Sequence, residues 1–441
     1  MSIRKSPIDQ LMEPVSRFIH QEYTSGIVLF LSVLVAIIWV NSPFSESYHH
    51  IWEISFSLGF DGDVLNHPLH IWINDGLMAI FFFVIGLELK REFMAGELST
   101  LRKASFPMIA ALGGMLVPAL IYFFINRGTD AAHGWGIPMA TDIAFALALL
   151  SVAGKHIPSS VKVFLSALAV ADDLGAVLVI AFFYSTDIHM MPLMIGGAFL
   201  LVLIAANVLG VRSSAFYIVI GFGVWVGFLL SGVHATIAGV LVAFTIPART
   251  LINENAYSDK LRKLSYEFEN EIPNNSTLTT PNQHQIIEEI KHLSLAAQTP
   301  LQKIEYALHP WVAFVIMPLF ALANAGIVIG ADFFTSLVNP VSIGVIAGLV
   351  VGKFLGVLLF TWLMVKTGFA TLPRKATWRH ITGVAVLAGI GFTMSLFVSA
   401  LAFTNAEMIN QAKYGILLAS LLAGTIGFLI LRGAKSKTTV A

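Results

Sequence analysis

The sequence predicts an all-α polytopic membrane protein with twelve transmembrane helices, and three observations predict it. Of 441 residues, 56% are hydrophobic and only 12% are charged, with a mean hydropathy of +0.80, whereas a soluble domain carries about 25% charge. Apolar runs near the length of a bilayer crossing recur along the whole chain. Lys and Arg gather in alternate connections between those runs, as orientation in a membrane requires. Formal net charge is zero, which gives no case for nucleic acid as a partner. The chain has no cysteine. Disulfides, Cys-based zinc sites and a thiol nucleophile are thereby excluded.

The N-terminal tail, 1–23, is too polar for a secretory signal. Leu11, Val15, Phe18 and Ile19 lie at helical spacing there, which suits a short helix on the membrane surface; a plain polar tail is the alternative. The predicted spans are 24–41, 69–90, 105–126, 134–154, 160–184, 190–208, 213–231 and 233–248, then 309–330, 341–365, 379–403 and 411–431. An even number puts both termini on one side.

On the side of the termini fall Arg4, Lys5, Arg17, Lys90, Arg91, Arg102, Lys103, Lys155, Lys162, Arg212, Lys366, Arg374, Lys375, Arg379, Arg432, Lys435 and Lys437. The other side has only Arg127 and Lys413. That asymmetry makes the terminal side cytoplasmic. A missed or extra helix would have scrambled it.

The connection 42–68 therefore faces outward. Within it, 54–65 alternates in polarity and turns on Asp61-Gly62, a strong short signal for a small external β-hairpin. An isolated hairpin is marginal, so it is expected to pair, another copy of the chain being one partner; a simple surface loop is the alternative. Residues 249–308 form one long cytoplasmic loop. Leu261, Leu264 and Phe268 suggest one amphipathic helix, and Ile286, Ile287, Ile290 and Leu293 a second. The loop carries no nucleotide-binding or catalytic motif, and a connector with surface helices is favoured over a regulatory domain. A short cytoplasmic tail, 432–441, closes the chain.

The stretch that carries chemistry is Leu165–Val179, LSALAVADDLGAVLV, with Asp172 and Asp173 near its middle. Asp142 and Lys353 also lie deep inside spans. Each such charge opposes insertion by about 3 kcal/mol if left unpaired. They must meet one another, water or open backbone. Adjacent residues on a helix point about 100° apart, so one aspartate can line a cavity while the other turns to a neighbour. Lys353 is the one intramembrane cation available as a partner, about 18 Å from either end of its span, too far for easy snorkelling. Its span carries Gly344, Gly348, Gly352 and Gly356 at strict four-residue spacing, a face that admits another backbone closely. That face is expected to bring Lys353 against the fifth span.

In the fourth span Gly134, Gly136 and Pro138 precede Thr141-Asp142, and in the eleventh Gly389, Gly391 and Thr393 lie near the middle. Both read as discontinuous helices. Each is the middle member of a triplet, spans three to five and ten to twelve, that starts on opposite sides of the membrane. Interrupted spans at matching positions of inverted repeats point to a transporter binding site. Weaker candidates are the cluster Glu88, Lys90, Arg91 and Glu92 at the cytoplasmic end of the second span, Glu305 and His309 at the start of the ninth, His234, and Asp75. For each, an ordinary helix end or interfacial polarity is the bland account.

ATDIAF (140–145), ALAVADDLGAV (167–177), GLELKREF (86–93), VGKFLGV (351–357), GIGFTMS (389–395), GVHATIAGV (232–240) and LHPWVAF (308–314) together resemble the NhaA-type sodium/proton antiporters of bacterial inner membranes. The resemblance runs from Thr24 to Leu431, interrupted by the long loop. It implies an electrogenic, pH-activated secondary antiporter that exchanges cytoplasmic sodium or lithium for external protons, with no cofactor and no enzymatic activity. It implies Asp172 and Asp173 as the ion- and proton-exchanging pair, with Asp173 the principal sodium ligand. Lys353 would pair with the first aspartate. Thr141 and Asp142 would compensate half-helix dipoles. Glu88, Arg91, Glu92, Glu305 and His309 match the family's cytoplasmic pH-sensing cluster, and the hairpin its homodimer contact. Membrane lipid is the surrounding partner. Tyr306 stands where a histidine is expected, and the loop before it is unusually long, which bears on the pH profile rather than on the exchange.

Other functions fit less well. Another solute coupled through the same aspartates is the runner-up, since the residues alone do not fix the cargo. An intramembrane aspartyl protease would carry Tyr-Asp and Gly-x-Gly-Asp pairs. Here Thr141 and Ala171 precede the aspartates and Lys353 would have no task. A retinal pump needs seven spans.

Overall fold

Each of the twelve apolar stretches carries a helix in the computed structural model, which describes residues 23–58, 65–154, 156–185, 188–271, 278–330 and 337–434. In chain order these are α1 (Thr24–Val40), α2 (Ser45–Glu53), α3 (Leu69–Ala95), α4 (Leu101–Ile125), a 3-10 segment (Asp130–Met139), α5 (Ile143–Ala153), α6 (Ser159–Phe183), α7 (Met190–Val208), α8 (Ser214–Leu229) and α9 (Ala235–Thr245). There follow α10 (Glu254–Asn270), α11 (Pro281–Ala297), α12 (Pro300–Asn324), α13 (Pro340–Lys366), α14 (Trp378–Leu387), α15 (Phe392–Ala402) and α16 (Ala406–Arg432). Seven of the described helices are by themselves long and apolar enough to cross a membrane, and ten spans result when each bent pair counts as one. The chain is a multi-pass membrane protein. Leu201, Phe182 and Leu421, each exposed by more than 60%, face where lipid would be.

Two apolar cores hold the bundle. The larger joins α1 to α6 and α12 to α16, and includes Leu29, Phe82, Tyr122, Leu168, Phe320, Val345 and Phe397. The smaller joins α3, α7, α8, α9 and the start of α12 through residues such as Tyr217, Val224, Ala238 and Ile304.

Both predicted interruptions are present. The fourth span breaks at 140–142 and the eleventh at 388–391, each with a bend of 42°. The first half of the fourth span is 3-10 rather than α-helix, because Pro138 removes a donor and Gly134 and Gly136 tolerate the tighter winding.

Three expectations need correction. The helix of the ninth span starts at Pro300, not at 309, so Glu305 and His309 lie inside it. The signal is local: Thr299 caps the helix by accepting from Gln302 N at 3.1 Å, with Pro300 in the first turn. The glycine face of α13 packs on α4, not on α6. A Cβ at Gly352 would come within 2.7 Å of Pro118 Cα, and one at Gly356 within 2.6 Å of the Gly113 carbonyl carbon. Lys353 is one residue past that face, hence rotated about 100° from it, and it reaches α6 from there. The strand pair lies later than the predicted 54–65: β1 (Ser55–Leu58) pairs antiparallel with β2 (Leu65–Pro68), in the register Ser55↔Pro68 to Leu58↔Leu65. The Asp61-Gly62 turn, the N-terminal amphipathic segment, Lys155, Lys435 and Lys437 lie outside the described residues.

The long loop contains both expected helices, α10 and α11. Its two ends are tied together. Leu251 N donates to Ala296 O at 3.0 Å and Leu301 N to Pro247 O at 3.2 Å. The guanidinium of Arg212 donates to Arg249 O at 2.8 Å and to Gln298 O at 3.2 Å.

Candidate functional site

The two broken spans cross at their breaks, and the crossing is stitched by hydrogen bonds. Asp142 N donates to Ile390 O at 2.6 Å. Ser395 Oγ donates to Ile137 O at 2.8 Å. The carboxylate of Asp142 caps α5 by accepting from Phe145 N at 3.2 Å. Its other oxygen accepts from Thr393 N at 3.1 Å and from the Thr393 hydroxyl. One anion thus lies at the N-terminal ends of two half-helices, α5 and α15, where helix dipoles favour negative charge. The bonds also satisfy backbone groups that the breaks set free.

Beside this crossing runs α6, whose middle carries Asp172 and Asp173, both fully buried. A π-helical turn, Ala347–Gly352, immediately precedes Lys353 on α13. The lysine stem passes Gly114 of α4, where an added Cβ would sit 3.6 Å from Cδ and 3.7 Å from Nζ. Its ammonium lies 2.5 Å from Asp172 Oδ2, and Lys353 is itself fully buried. Thr141 Oγ1 lies 2.7 Å from the same carboxylate oxygen and 2.9 Å from Ala388 O. The hydroxyl has one proton, so it serves one of these acceptors at a time.

The remaining oxygens are bare. Asp172 Oδ1 and both oxygens of Asp173 are buried and make no hydrogen bond among the described residues. Asp173 feels the like charges of Asp172, Glu88 and Asp142 and the opposite charge of Lys353. With Lys353 paired, the two aspartates carry one uncompensated negative charge. A buried carboxylate with no partner is costly. A cation or a proton on Asp173 relieves the cost.

The structure therefore brings Asp172, Lys353 and Thr141 into direct contact, with Asp173 alongside and Asp142 at the adjoining crossing. A second group, formed by the end of α3 and the start of α12, also assembles around one residue. Arg91 Nε lies 3.1 Å from Glu305 Oε1, close enough for charge pairing though not aligned as a hydrogen bond. Arg91 Nη2 lies 3.5 Å from Glu92 Oε1 and 3.7 Å from Glu88 Oε1. The imidazole of His309 feels the charge of Arg91. Tyr306 is 66% exposed and takes no part in the group.

Sequence reasoning missed three contributors. Gly114 clears the path of Lys353, yet a glycine in α4 has no pattern that marks it. Tyr184 Oη accepts from Gly136 N at 3.1 Å and donates to His133 O at 2.8 Å, which steadies the 3-10 half of the fourth span. Ser395 had a visible signal, a polar residue two positions after Thr393 in an apolar run.

The sequence model of the family described as Na+/H+ antiporter 1 matches residues 16–431. A protein named Na(+)/H(+) antiporter NhaA from Oleidesulfovibrio alaskensis is 49% identical over 97% of this chain and 95% of its own length. Another, named Na(+)/H(+) antiporter NhaA 2, from Syntrophotalea carbinolica is 48% identical over 97% of this chain and 98% of its own. A third, Na(+)/H(+) antiporter NhaA 1 from Psychromonas ingrahamii, is 48% identical over 95% and 96% respectively. Matched almost from end to end by the family and by these relatives, the chain belongs to the Na+/H+ antiporter 1 family.

Proposed function

We propose that this chain is a secondary antiporter of the bacterial inner membrane, exchanging cytoplasmic sodium or lithium for external protons. One observation carries the reading: the carboxylate of Asp173 is fully buried, with no hydrogen-bond partner among the described residues, beside an Asp172–Lys353 pair. Sodium is a hard cation that takes oxygen ligands. Asp173 Oδ1 and Oδ2 and Asp172 Oδ1 are the free oxygens, so Asp173 is the principal ligand and Asp172 the second. Occupancy by sodium or by protons is mutually exclusive on the same atoms, and antiport needs no more than that competition. Either form lowers the charge that must cross, whereas the empty ionised site is costly to move. No covalent bond is made or broken, so the protein is a transporter rather than an enzyme.

The exchange is electrogenic in this reading. Two aspartates can take up two protons, while only one negative charge is left for sodium. A cycle that exchanges more protons than sodium ions moves net charge, worth about 2.3 kcal/mol per charge per 100 mV. Thr141 and Asp142 compensate charge and dipoles at the crossing. Activation by pH is assigned to Arg91 with Glu88, Glu92 and Glu305, with His309 at the edge of the group.

The architecture proposed with it has twelve crossings, both termini in the cytoplasm, and inverted repeats formed by α4–α6 and α13–α16. The matching 42° breaks in the two triplets support the repeats. Two shorter apolar helices, α8 and α9, are assigned as the remaining crossings. The β1–β2 hairpin is assigned to a homodimer contact. Its loss is expected to convert the purified dimer to monomers in light scattering, and an unchanged mass would refute the contact.

The decisive experiment is sodium-induced collapse of a pre-formed pH gradient in inside-out vesicles, from about pH 6 to 9, with potassium as control. Proton movement with sodium or lithium but not potassium is the expected result. No response to sodium or lithium at any pH would overturn the proposal.

A further inference from the structure

A cavity lies away from the aspartates. It has a volume of about 1070 Å³ and opens between the start of α4, the start of α6 and the connection 368–375. On the sidedness proposed above, this is where the bundle meets the cytoplasm. Lys103, His156, Arg374 and Lys375 line it, against the single acid Glu97. Among the described residues neither lysine nor Arg374 is ion-paired. Ser160 Oγ donates to Arg374 O at 2.6 Å, which ties the connection to α6. Lys375 is the one described non-glycine residue with positive φ, 61°.

Deeper in, the wall is apolar, with Phe106, Phe164 and Ala167. None of Asp142, Asp172 or Asp173 lines the cavity. An excess of positive charge would repel sodium, so the recess is no entrance for the cation. A cationic rim above an apolar wall, at the membrane boundary, fits an anion that carries an apolar body. We propose that this recess binds a phosphate group through Lys103, Arg374 and Lys375, and that its source is the headgroup of an anionic phospholipid whose glycerol and upper acyl segments lie on Phe106 and Phe164. Each basic residue near an anionic headgroup contributes about 1 kcal/mol, a factor of roughly five in affinity. Glu97 opposes the same anion.

The test uses the purified full-length protein, stripped of lipid in neutral detergent. Thermal unfolding is followed while dioctanoyl phosphatidylglycerol, dioctanoyl phosphatidylcholine or inorganic phosphate is added. The phosphatidylglycerol is expected to raise the midpoint saturably, and the phosphatidylcholine is not. The triple variant Lys103→Gln, Arg374→Gln, Lys375→Gln is expected to need on the order of a hundredfold more phosphatidylglycerol. An equal rise with inorganic phosphate would keep the phosphate site and overturn the lipid as its source. An unchanged response of the triple variant, or equal responses to the two lipids, would overturn the site. Should the triple variant not fold, Glu97→Gln decides: it is expected to tighten phosphatidylglycerol severalfold, and no tightening refutes the proposal. In phosphatidylcholine vesicles the triple variant is expected to exchange sodium for protons as wild type does. Lost exchange in a folded variant would refute the separation from the ion path.

Discussion

Lys353 and Asp172, 181 residues apart in sequence, meet at 2.5 Å with both side chains fully buried. Such a pair is weak evidence for added stability, but removing one partner strands the other charge, at a cost of roughly 3–5 kcal/mol. Lys353→Ala is therefore expected to lower the unfolding midpoint of the purified protein sharply. Adding Asp172→Asn to it is expected to restore part of the loss. A double variant as unstable as the sum of the singles would sink the pairing.

Asp173 is expected to behave differently. Among the described residues it has no partner to strand, and asparagine there buries no charge. Asp173→Asn should abolish sodium-dependent proton movement while its unfolding midpoint stays at or above that of wild type. Asp172→Asn should also abolish exchange. Normal exchange in either variant would refute the assignment of the site.

The crossing of the broken spans is tested at Thr393. Thr393→Val removes the hydroxyl donor to Asp142 and leaves the backbone donor in place. A hydrogen bond to a charged group contributes about 1.5–3 kcal/mol. The midpoint should fall accordingly, and Thr393→Ser should restore it. If Ser and Val variants behave alike, the hydroxyl is not what holds Asp142.

Arg91 and Tyr306 separate a working pH sensor from a bystander. Removing the cation that faces Glu88 and Glu305 strengthens their hold on protons. Arg91→Ala should move the pH of half-activation toward alkaline values in the vesicle assay. Tyr306 is exposed and outside the group, so Tyr306→His should leave that pH nearly unchanged. A large shift from Tyr306→His would show that the sensor extends beyond the Arg91 cluster.

The contact of α13 with α4 is tested at Gly356. A side chain there must enter the space of the Gly113 backbone, and backbone cannot yield as a flexible side chain can. Gly356→Val is expected to lower the yield of folded protein, whereas Gly368→Val, with nothing within 4 Å of its Cβ, suffers only the strain of its φ of 77°.

Much of this was legible in residues whose placement is costly. Asp142, Asp172, Asp173 and Lys353 stand out because charge in an apolar run demands a partner, and the structure supplies Lys353 for Asp172 and Thr393 for Asp142. The breaks were legible because Pro138, Gly389 and Gly391 interrupt a helical pattern. Pairing between elements was not. The glycine stripe of α13 announces that some backbone comes close, yet four-residue spacing says nothing about which helix brings it. Gly114 matters only because Lys353 passes over it, a relation that exists in three dimensions alone. The start of α12 at Pro300 was missed because hydropathy registers the apolar run, whereas the helix begins in a polar turn capped by Thr299.

The tie at the base of the α10–α11 excursion has a consequence for how the chain can vary. Where the polypeptide leaves the bundle at 247–251 and returns at 296–301, Arg212 and two main-chain bonds clasp the two strands of exit and re-entry. The loop is closed at its neck, so the length beyond the neck adds little to the entropy of closure. The excursion is in effect a socket: it can be trimmed, extended or exchanged for a folded reporter domain, and the helices below it will keep their places.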